Sequence, residues 1–397
     1  MFIRTKGRHF FLNGKPYFAN GFNAYWLMYR ASDPSGYGRL NVSAMFRQAA
    51  SARLTIVRTW AFNDGYINND RPLQYSPGFY NEQVFKGLDY VVAEARKFRI
   101  KLILSLVNNY DDYGGKKQYV NWAVSQGQHL TSDGAFFTNP SVKQFYKNHI
   151  KAVLNRYNTI TRKLYKNDPT IMAWELMNEP RCSDPSGNTI QNWIIEMAAY
   201  VKSIDRNHLL EVGSEGFYGP SSHRRTKYNP SGSNEGTDFI KNNRIKHIDF
   251  ATLHSYPDAW LPSYTEQNKL SFLRKWLNAH IYDAQHVLNK PILMTEFGKS
   301  LKVNNINQRD ELFKTVYSKI YKSAKLGGPA AGGLFWHVLA KDMDSYRDGY
   351  EIILEEKSST ANIIAWQAYK MYKLKILFSR MRRRASARRD QLLASHP

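Results

Sequence analysis

Short runs of apolar residues recur along the chain, and most of them end in a polar or aromatic cluster. Eight of these runs have the length and the aliphatic or β-branched content of buried strands. They begin near residues 18, 54, 101, 171, 208, 249, 290 and 332. Segments with apolar residues at helical spacing separate most of them, for example residues 81–98 and 140–157. Such alternation of strands and helices is typical of a parallel sheet.

Eight strand and helix units predict an α/β fold, a single (β/α)₈ barrel. An open, doubly wound sheet is the alternative, but no G-x-G-x-x-G follows the first strand. Asn13-Gly14, between two aromatic runs in residues 10–18, predicts an N-terminal β-hairpin able to cap the bottom of the barrel. Three segments rich in Gly, Pro, Asn and Tyr are predicted to be long βα loops, namely 63–78, 111–139 and 216–238.

Two of the predicted strands end in a glutamate. The run IMAWELMNEP, residues 171–180, carries Glu179, and the run KPILMTEFG, residues 290–298, carries Glu296. In a (β/α)₈ barrel the catalytic residues lie at the C-terminal ends of the strands. Other polar and aromatic residues are predicted at the same end of the barrel: Arg58, Asn108, Asn178, Glu215, His254, Tyr256 and Trp336.

Two carboxyl groups with this surrounding set suit the cleavage of a glycosidic bond. One carboxyl protonates the leaving oxygen, and the other attacks the sugar carbon or activates water. If the fourth and seventh strands face each other, the carboxyls lie roughly 5 Å apart, which is the retaining separation. Each residue alone has an ordinary structural explanation, and Glu215 is expected to be structural. Their coincidence at the ends of the strands favours a site.

The surrounding residues have predicted tasks in that chemistry. Arg58 and Tyr256 are candidates to keep the nucleophile ionised, and His254 is a candidate to tune the acid. Asn178 is placed to donate to a sugar hydroxyl, and Trp336 offers a flat face for a pyranose ring. No H-E-x-x-H, cysteine cluster, G-x-S-x-G or P-loop is present, so we expect no metal and no cofactor.

The charge distribution adds a possible second partner. The formal net charge of the 397 residues is +23, which suits attraction to polyanions such as nucleic acid, anionic lipid or an acidic cell-wall polymer. Residues 372–389 carry eight basic residues and no acidic residue. A solvated C-terminal tail over 372–397, after a catalytic domain over 1–371, is favoured over a binding tail, and nucleic-acid binding is not expected.

Compartment is left open by the sequence pattern. No run of 18 apolar residues is present, so no membrane span is predicted. The first residues, MFIRTKGRHF, lack the long apolar segment of a signal peptide. The single cysteine, Cys182, excludes an internal disulfide, which fits a reducing compartment as well as a large secreted domain.

Several motifs resemble a known family. WELMNEP and TEFG, with R-T-W at the second strand and H-S-Y at the sixth, resemble glycoside hydrolase family 5. More narrowly, VRTWAFNDG, LSLVNNY, GGKKQYVNWA, NEPRC, EGFYG and GGLFWHVLA resemble the plant-type endo-β-1,4-mannanases. The resemblance extends from about residue 8 to residue 371.

The resemblance implies a (β/α)₈ barrel and retaining hydrolysis of internal β-1,4-mannosidic bonds in mannan, glucomannan or galactomannan. It implies that Glu179 is the acid/base and Glu296 the nucleophile. It implies supporting roles at the active site for Arg58, Asn178, His254 and Tyr256, and sugar contacts for Trp60, Asn108, Asn109 and Trp336. It also implies secretion to the cell wall. A β-1,4-glucanase, a mannan transglycosylase and a non-catalytic carbohydrate-binding protein remain alternatives on the same scaffold.

Overall fold

The computed structural model describes residues 1–65 and 70–394, with side chains up to residue 381. Its strands in chain order are β1 (Arg4–Lys6), β2 (His9–Leu12), β3 (Lys15–Tyr17), β4 (Gly21–Asn23), β5 (Ile56–Trp60), β6 (Gln74–Ser76), β7 (Phe79–Tyr80), β8 (Lys101–Ser105), β9 (Ile171–Glu175), β10 (Leu209–Glu211), β11 (Ala251–Ser255), β12 (Ile292–Phe297) and β13 (Ala330–Phe335).

The helices surround these strands. In chain order they are α1 (Leu27–Ala31), α2 (Tyr37–Ser51), α3 (Glu82–Lys97), α4 (Gly115–Ser125), α5 (Ala135–Thr138), α6 (Pro140–Leu154), α7 (Asn188–Ile204), α8 (Phe239–Asn243), α9 (Pro257–Trp260), α10 (Glu266–Asp283), α11 (Ile306–Lys325) and α12 (Ser359–Ala394).

Eight parallel strands form the barrel, and they are the eight that the sequence predicts. Their order in the sheet is β10-β9-β8-β5-β4-β13-β12-β11. Backbone hydrogen bonds join the two outer strands: the Asp249 N–H donates to the Leu210 carbonyl (2.8 Å), and the His254 N–H donates to the Glu215 carbonyl (2.9 Å). The predicted (β/α)₈ barrel is confirmed.

The predicted N-terminal hairpin is present and is extended to three antiparallel strands by β1. Phe10 of β2 enters the barrel from below and meets Phe250 edge to face, with 5.2 Å between the ring centroids. Around these rings the lower barrel interior is apolar, with Ile56, Ile103, Met172, Leu209, Leu293 and Leu334 all buried. The hairpin therefore seals the end of the barrel opposite the predicted site.

Two predicted boundaries are corrected by the structure. The segment 111–139 is not a plain loop, because α4 and α5 lie within it and bury Tyr119, Trp122 and Phe136. The spacing of the aromatic residues favours helices in that segment more strongly than its glycines and asparagines favour a loop. The strand predicted over 171–180 ends at Glu175, so Asn178 and Glu179 belong to the loop after β9. Of the predicted loop 63–78, residues 66–69 lie outside the described part.

Helix α12 runs from Ser359 to Ala394 without a break at residue 371. Ile364, Met371 and Leu374 are buried, and the helix packs against α11 and β3. The division into a catalytic domain and a basic tail at this point stays a prediction, and the side chains from residue 382 onward lie outside the described part. In the described residues, no helix combines the length and the apolar character needed to span a bilayer.

Candidate active site

The C-terminal ends of β9, β11 and β12 bring three titratable groups together. One side-chain donor atom from each of Glu179, His254 and Glu296 lies within 4.8 Å of the others. All three residues are buried in the mouth of the barrel, and each carboxyl keeps a small exposed fraction. The two predicted carboxyls therefore meet in one site, at a spacing close to that of retaining glycosidases.

Glu296 is held by two donors. An Nη1 N–H of Arg58 donates to its Oε1 at 2.6 Å, and the Tyr256 hydroxyl donates to its Oε2 at 2.6 Å. Both contacts stabilise the ionised carboxylate, since a guanidinium stays charged throughout the ordinary pH range. Glu296 is therefore the carboxyl whose neighbours best suit a permanent negative charge.

Glu179 has a different environment. Its Oε1 lies 2.5 Å from His254 Nδ1, and its Oε2 accepts a hydrogen bond from the Tyr110 hydroxyl at 2.9 Å. The residue itself adopts a left-handed backbone conformation, with φ of 51°. Its backbone N–H donates to the Gly213 carbonyl, which anchors the loop after β9. Glu179 thus faces a proton-bearing ring where Glu296 faces a fixed cation.

Arg58, fully buried at the centre of the site, connects these groups to the barrel wall. Its Nε and Nη2 bind both oxygens of Glu175 at 2.6 Å each. Its remaining N–H groups bind Asn178 Oδ1 (2.7 Å), Asn23 Oδ1 (3.0 Å) and Glu296. All five guanidinium hydrogens are used, so the orientation of Arg58 is fixed from every side.

Burial and neighbouring charges shift the pKa values of the three groups. Burial raises the pKa of Glu296, and His254 and Arg58 lower it without cancelling that rise. Burial also acts to raise the pKa of Glu179, but the hydrogen bond and charge of His254 outweigh it, so that pKa is lowered. Against the effect of burial, the two carboxylates raise the pKa of His254. The two carboxylates therefore favour the protonated form of the ring beside Glu179.

An open cavity of about 530 Å³ lies over the two carboxyls. Among the predicted residues, its walls include Trp60, Asn108, Asn178, Tyr256 and Trp336. One face of Trp336 stacks on Tyr25, with 5.6 Å between the ring centroids and an angle of 11°. The cavity is thus lined by aromatic rings and amide groups, the combination that suits a sugar.

Two residues that the sequence places at this end of the barrel, Asn109 and Glu215, do not line the cavity. Asn109 is absent from the cavity lining, and its Oδ1 accepts the backbone N–H of Arg181. Glu215 forms a two-pronged ion pair with Arg181 at 2.9 and 2.7 Å. Burial, followed by the charge of Glu179, raises the pKa of Glu215 to about 8 despite Arg181. Both residues support the loop that carries Glu179.

Sequence reasoning missed several residues of the site, including Asp112, Tyr113, Asp348 and Tyr350 in the cavity wall. Tyr25 and Tyr110 line the cavity, Asn23 orients Arg58, and Glu175 binds Arg58. A signal existed for Glu175, because a glutamate in the middle of an apolar strand requires a buried cation. No comparable pattern marks Tyr110, whose position depends on the loop before α4.

The three donors of Glu179, His254 and Glu296 also have a spacing at which a metal ion could be held. Arg58 already supplies a positive charge 2.6 Å from Glu296, so a second cation there would meet strong repulsion. The donor set suits proton transfer and nucleophilic attack better than metal binding.

Comparisons with known proteins agree with this geometry. A family model described as "GH family 5 beta-mannosidase-like" matches residues 1–341. Mannan endo-1,4-beta-mannosidase 7 of Arabidopsis thaliana is 61% identical over 383 residues, covering 96% of this chain and 88% of the relative. Mannan endo-1,4-beta-mannosidase 1 of Oryza sativa subsp. japonica is 59% identical over 391 residues, covering 98% and 90%.

Solved structures give the same result for the fold. The endo-beta-1,4-mannanase of Thermotoga petrophila superposes with a TM-score of 0.78 at 32% identity, covering 90% of this chain and 78% of the other. The endo-1,4-beta-mannanase of Rhizomucor miehei gives a TM-score of 0.76 at 31% identity, covering 94% and 100%. With the family model covering most of the chain, this protein belongs to glycoside hydrolase family 5, in its beta-mannosidase-like group.

Proposed function

We propose that this protein is an endo-acting, retaining glycoside hydrolase that cleaves internal β-1,4-mannosidic bonds of mannan, glucomannan or galactomannan. The observation that carries the mechanism is the approach of Glu179 and Glu296 within 4.8 Å, each with different partners. The substrate class is supported by the relatives, since plant and microbial proteins that match nearly the whole chain are named as mannanases.

The reaction proceeds by double displacement. Glu296 Oε attacks the anomeric carbon as the C–O bond to the departing sugar breaks, and Glu179 gives its proton to that oxygen. A covalent glycosyl-enzyme intermediate remains on Glu296. Glu179, now ionised, removes a proton from water, and the water oxygen displaces Glu296 from the anomeric carbon. Two inversions give net retention.

The assignment of the two roles depends on where the proton resides. Burial raises the pKa of Glu296, whereas the hydrogen bond and charge of His254 outweigh burial at Glu179 and lower its pKa. Glu296 nevertheless remains the anion, because the charge of Arg58 beside it is permanent, while His254 can pass its proton across 2.5 Å to Glu179. In that state Glu179 is a neutral acid beside a neutral imidazole, and Glu296 remains the anion beside the guanidinium.

Residues around the pair bind the sugar. Asn178 has its Oδ1 on Arg58, and its Nδ2 donates to Asn108 Oδ1 at 2.9 Å, so its amide is fixed within the cavity wall beside the acid. Trp336 has one face on Tyr25 and lines the cavity, where it offers a stacking surface for a pyranose ring. Trp60 lines the same wall, 6.2 Å from Trp336 between ring centroids.

The roles are tested by chemical rescue. In Glu296→Ala, azide should restore cleavage of an activated β-mannoside and yield the α-mannosyl azide, because azide replaces the missing nucleophile. In Glu179→Ala, an activated substrate should still form the covalent intermediate, azide should yield the β-azide, and mannan should not turn over. The reverse pattern of azide products would exchange the two roles.

Product analysis tests the substrate class against the alternatives. Incubation with mannan should give short oligosaccharides from internal cleavage, while cellulose should give little product. Chains longer than the substrate, in the presence of an acceptor oligosaccharide, would identify a transglycosylase. Binding of mannan without any cleavage would identify a carbohydrate-binding protein.

We also propose that the protein acts outside the cell, in the wall, where its positive charge holds it on acidic polymers. Mannan is neutral, so the substrate does not account for the net charge of +23. A groove on the outer face of the barrel is lined by Lys241, Arg244, Lys246 and His247, and no acidic residue lines it. Polygalacturonate matches this charge.

Retention on immobilised polygalacturonate tests this second proposal. Arg244→Glu with Lys246→Glu should elute at lower salt than Lys314→Glu with Lys325→Glu, which makes the same change in net charge elsewhere. Equal elution of the two double variants would show that net charge alone, and not the groove, holds the protein. Retention that does not respond to salt would exclude an electrostatic contact.

A further inference from the structure

Another buried glutamate, Glu211, lies behind the proposed catalytic pair, and the proposed reaction does not use it. Glu211 is the last residue of β10, and it is fully buried. In the register of the sheet it lies directly beside Glu175 of β9. Side chains at one level of neighbouring parallel strands point to the same face, and Glu175 points into the barrel toward Arg58. Two carboxyl groups therefore stand side by side in the interior.

The nearest cation has no hydrogen bond left for this second carboxyl. The five guanidinium hydrogens of Arg58 bind Glu175 twice, and Asn178, Asn23 and Glu296 once each. Glu211 Oε2 accepts the backbone N–H of Gly213. Within residues 1–65 and 70–381, no donor reaches Glu211 Oε1. An ionised Glu211 would leave a buried charge next to another anion, which is strongly unfavourable.

We propose that Glu211 is a protonated carboxylic acid in the working enzyme and that its Oε1 hydroxyl donates to Glu175. One proton then satisfies the orphan oxygen and removes the repulsion between the two carboxyls. Glu175 has lone pairs to spare, because Arg58 occupies only one on each oxygen. Burial, followed by the charge of Glu175, raises the pKa of Glu211 well above its usual range.

The consequence for the reaction is positional. The hydrogen bond from Glu211 holds Glu175, Glu175 holds the guanidinium of Arg58 by both oxygens, and Arg58 directs Nη1 at Glu296. Glu211 touches neither the cavity nor the two catalytic carboxyls in this arrangement. It is a positioning residue. Loss of its proton at alkaline pH would disturb Glu296, the proposed nucleophile, through Glu175 and Arg58.

Two substitutions separate this proposal from an ordinary packing role. Glu211→Gln keeps the shape and supplies a permanent N–H donor to Glu175, without needing a proton. Glu211→Leu keeps the volume but supplies no donor. Glu311→Gln, at an exposed position on α11, is the matched control for the same chemical change. Infrared difference spectra, thermal midpoints and pH profiles are measured on the full-length protein.

The infrared and stability measurements do not depend on the substrate. At pH 7 the wild-type minus Glu211→Gln spectrum should show the C=O stretch of one protonated carboxyl, absent with the control. Because the folded pKa of Glu211 is raised, its stabilising effect is complete at acidic pH and is lost as pH rises. The thermal midpoint of Glu211→Gln should therefore rise relative to that of the wild type toward alkaline pH. The proposal would be overturned if the C=O band were missing. It would also be overturned if the thermal midpoint of Glu211→Gln fell relative to the wild type toward alkaline pH.

The kinetic measurement rests on the proposed function. Glu211→Gln should keep kcat close to wild type and lose less of it at alkaline pH. Glu211→Leu should lower kcat on the order of tenfold with KM unchanged, since Glu175 loses a donor while the cavity is untouched. Equal kcat and pH profiles in both variants would refute the positioning role. If no mannoside is cleaved by the wild type, only the proposed function fails, because the infrared band still reports the proton.

Discussion

At the end of the barrel where the strands begin, the interior is filled by apolar side chains, whereas at the other end it is filled by charged and amide groups. The change occurs within single strands: Ile56 and Arg58 lie two residues apart on β5, and Leu209 and Glu211 lie two apart on β10. Because alternate residues share a face, one strand contributes to both layers. The apolar end, here called the lower layer, requires only side chains that fill its volume. The charged end, here called the upper layer, requires a matched partner for each charge.

Removing Arg58 should have the largest effect on stability and on kcat, because it removes the cation at the centre of the upper layer. Arg58→Met keeps the length of the side chain but leaves Glu175 and Glu296 without their cation. The free energy of unfolding should fall by about 3–5 kcal/mol. The kcat should fall on the order of 10³-fold, because Glu296, the proposed nucleophile, gains a proton. Steady-state kinetics measure kcat, and denaturant unfolding measures the free energy of unfolding. Arg96→Met, at an exposed position on α3, is the control.

Removing Phe10 should break the lower layer alone. Phe10→Ala leaves a cavity beside Phe250, and the free energy of unfolding should fall by about 3–5 kcal/mol. The kcat and KM well below the melting temperature should stay at the wild-type values, because no residue of the hairpin lines the cavity over Glu179 and Glu296. Phe79→Ala, at a site 70% exposed, is the matched control. A loss of kcat in Phe10→Ala would mean that the two layers are coupled.

A single hydroxyl sharpens the comparison within the upper layer. Tyr256→Phe removes the 2.6 Å hydrogen bond to Glu296 and almost no volume. The pKa of Glu296 should rise further, because a hydrogen bond to the charged form is lost. The acidic limb of kcat/KM should therefore move to higher pH, and kcat/KM in that limb should fall on the order of tenfold. Tyr157→Phe, at an exposed position, should change neither, and an unmoved acidic limb in Tyr256→Phe would contradict this role.

The same contrast explains what the sequence could predict. The lower layer and the barrel follow from apolar periodicity, which is why the eight strands and the hairpin at Asn13-Gly14 were foreseen. Glu179 and Glu296 were found because each follows an apolar run. The partnership of Glu175 with Arg58 joins positions 117 residues apart, and no local pattern encodes such a pairing. The placement of Tyr110 depends on the path of a loop, which hydrophobic periodicity does not describe.

The smallest expected effect concerns the pair of His254 and Glu179. The folded pKa of His254 is raised, so its contribution to stability is complete below its ordinary value of 6.5 and is lost as pH rises through the folded value. The folded pKa of Glu179 is lowered, so its contribution is present above 4.5 and is lost as pH falls. The pair should therefore stabilise the protein most between those two values.

His254→Phe, which removes the ring nitrogens, tests this window. The difference in unfolding free energy between wild type and variant should peak there at about 2 kcal/mol and decline on both sides. His223→Asn, at an exposed position, should show no peak. A difference that stays constant across the pH range would mean that the two residues share a neutral hydrogen bond without an ion pair. The proton required for the acid step would then already lie on Glu179 in the resting enzyme, and no transfer from His254 would precede cleavage.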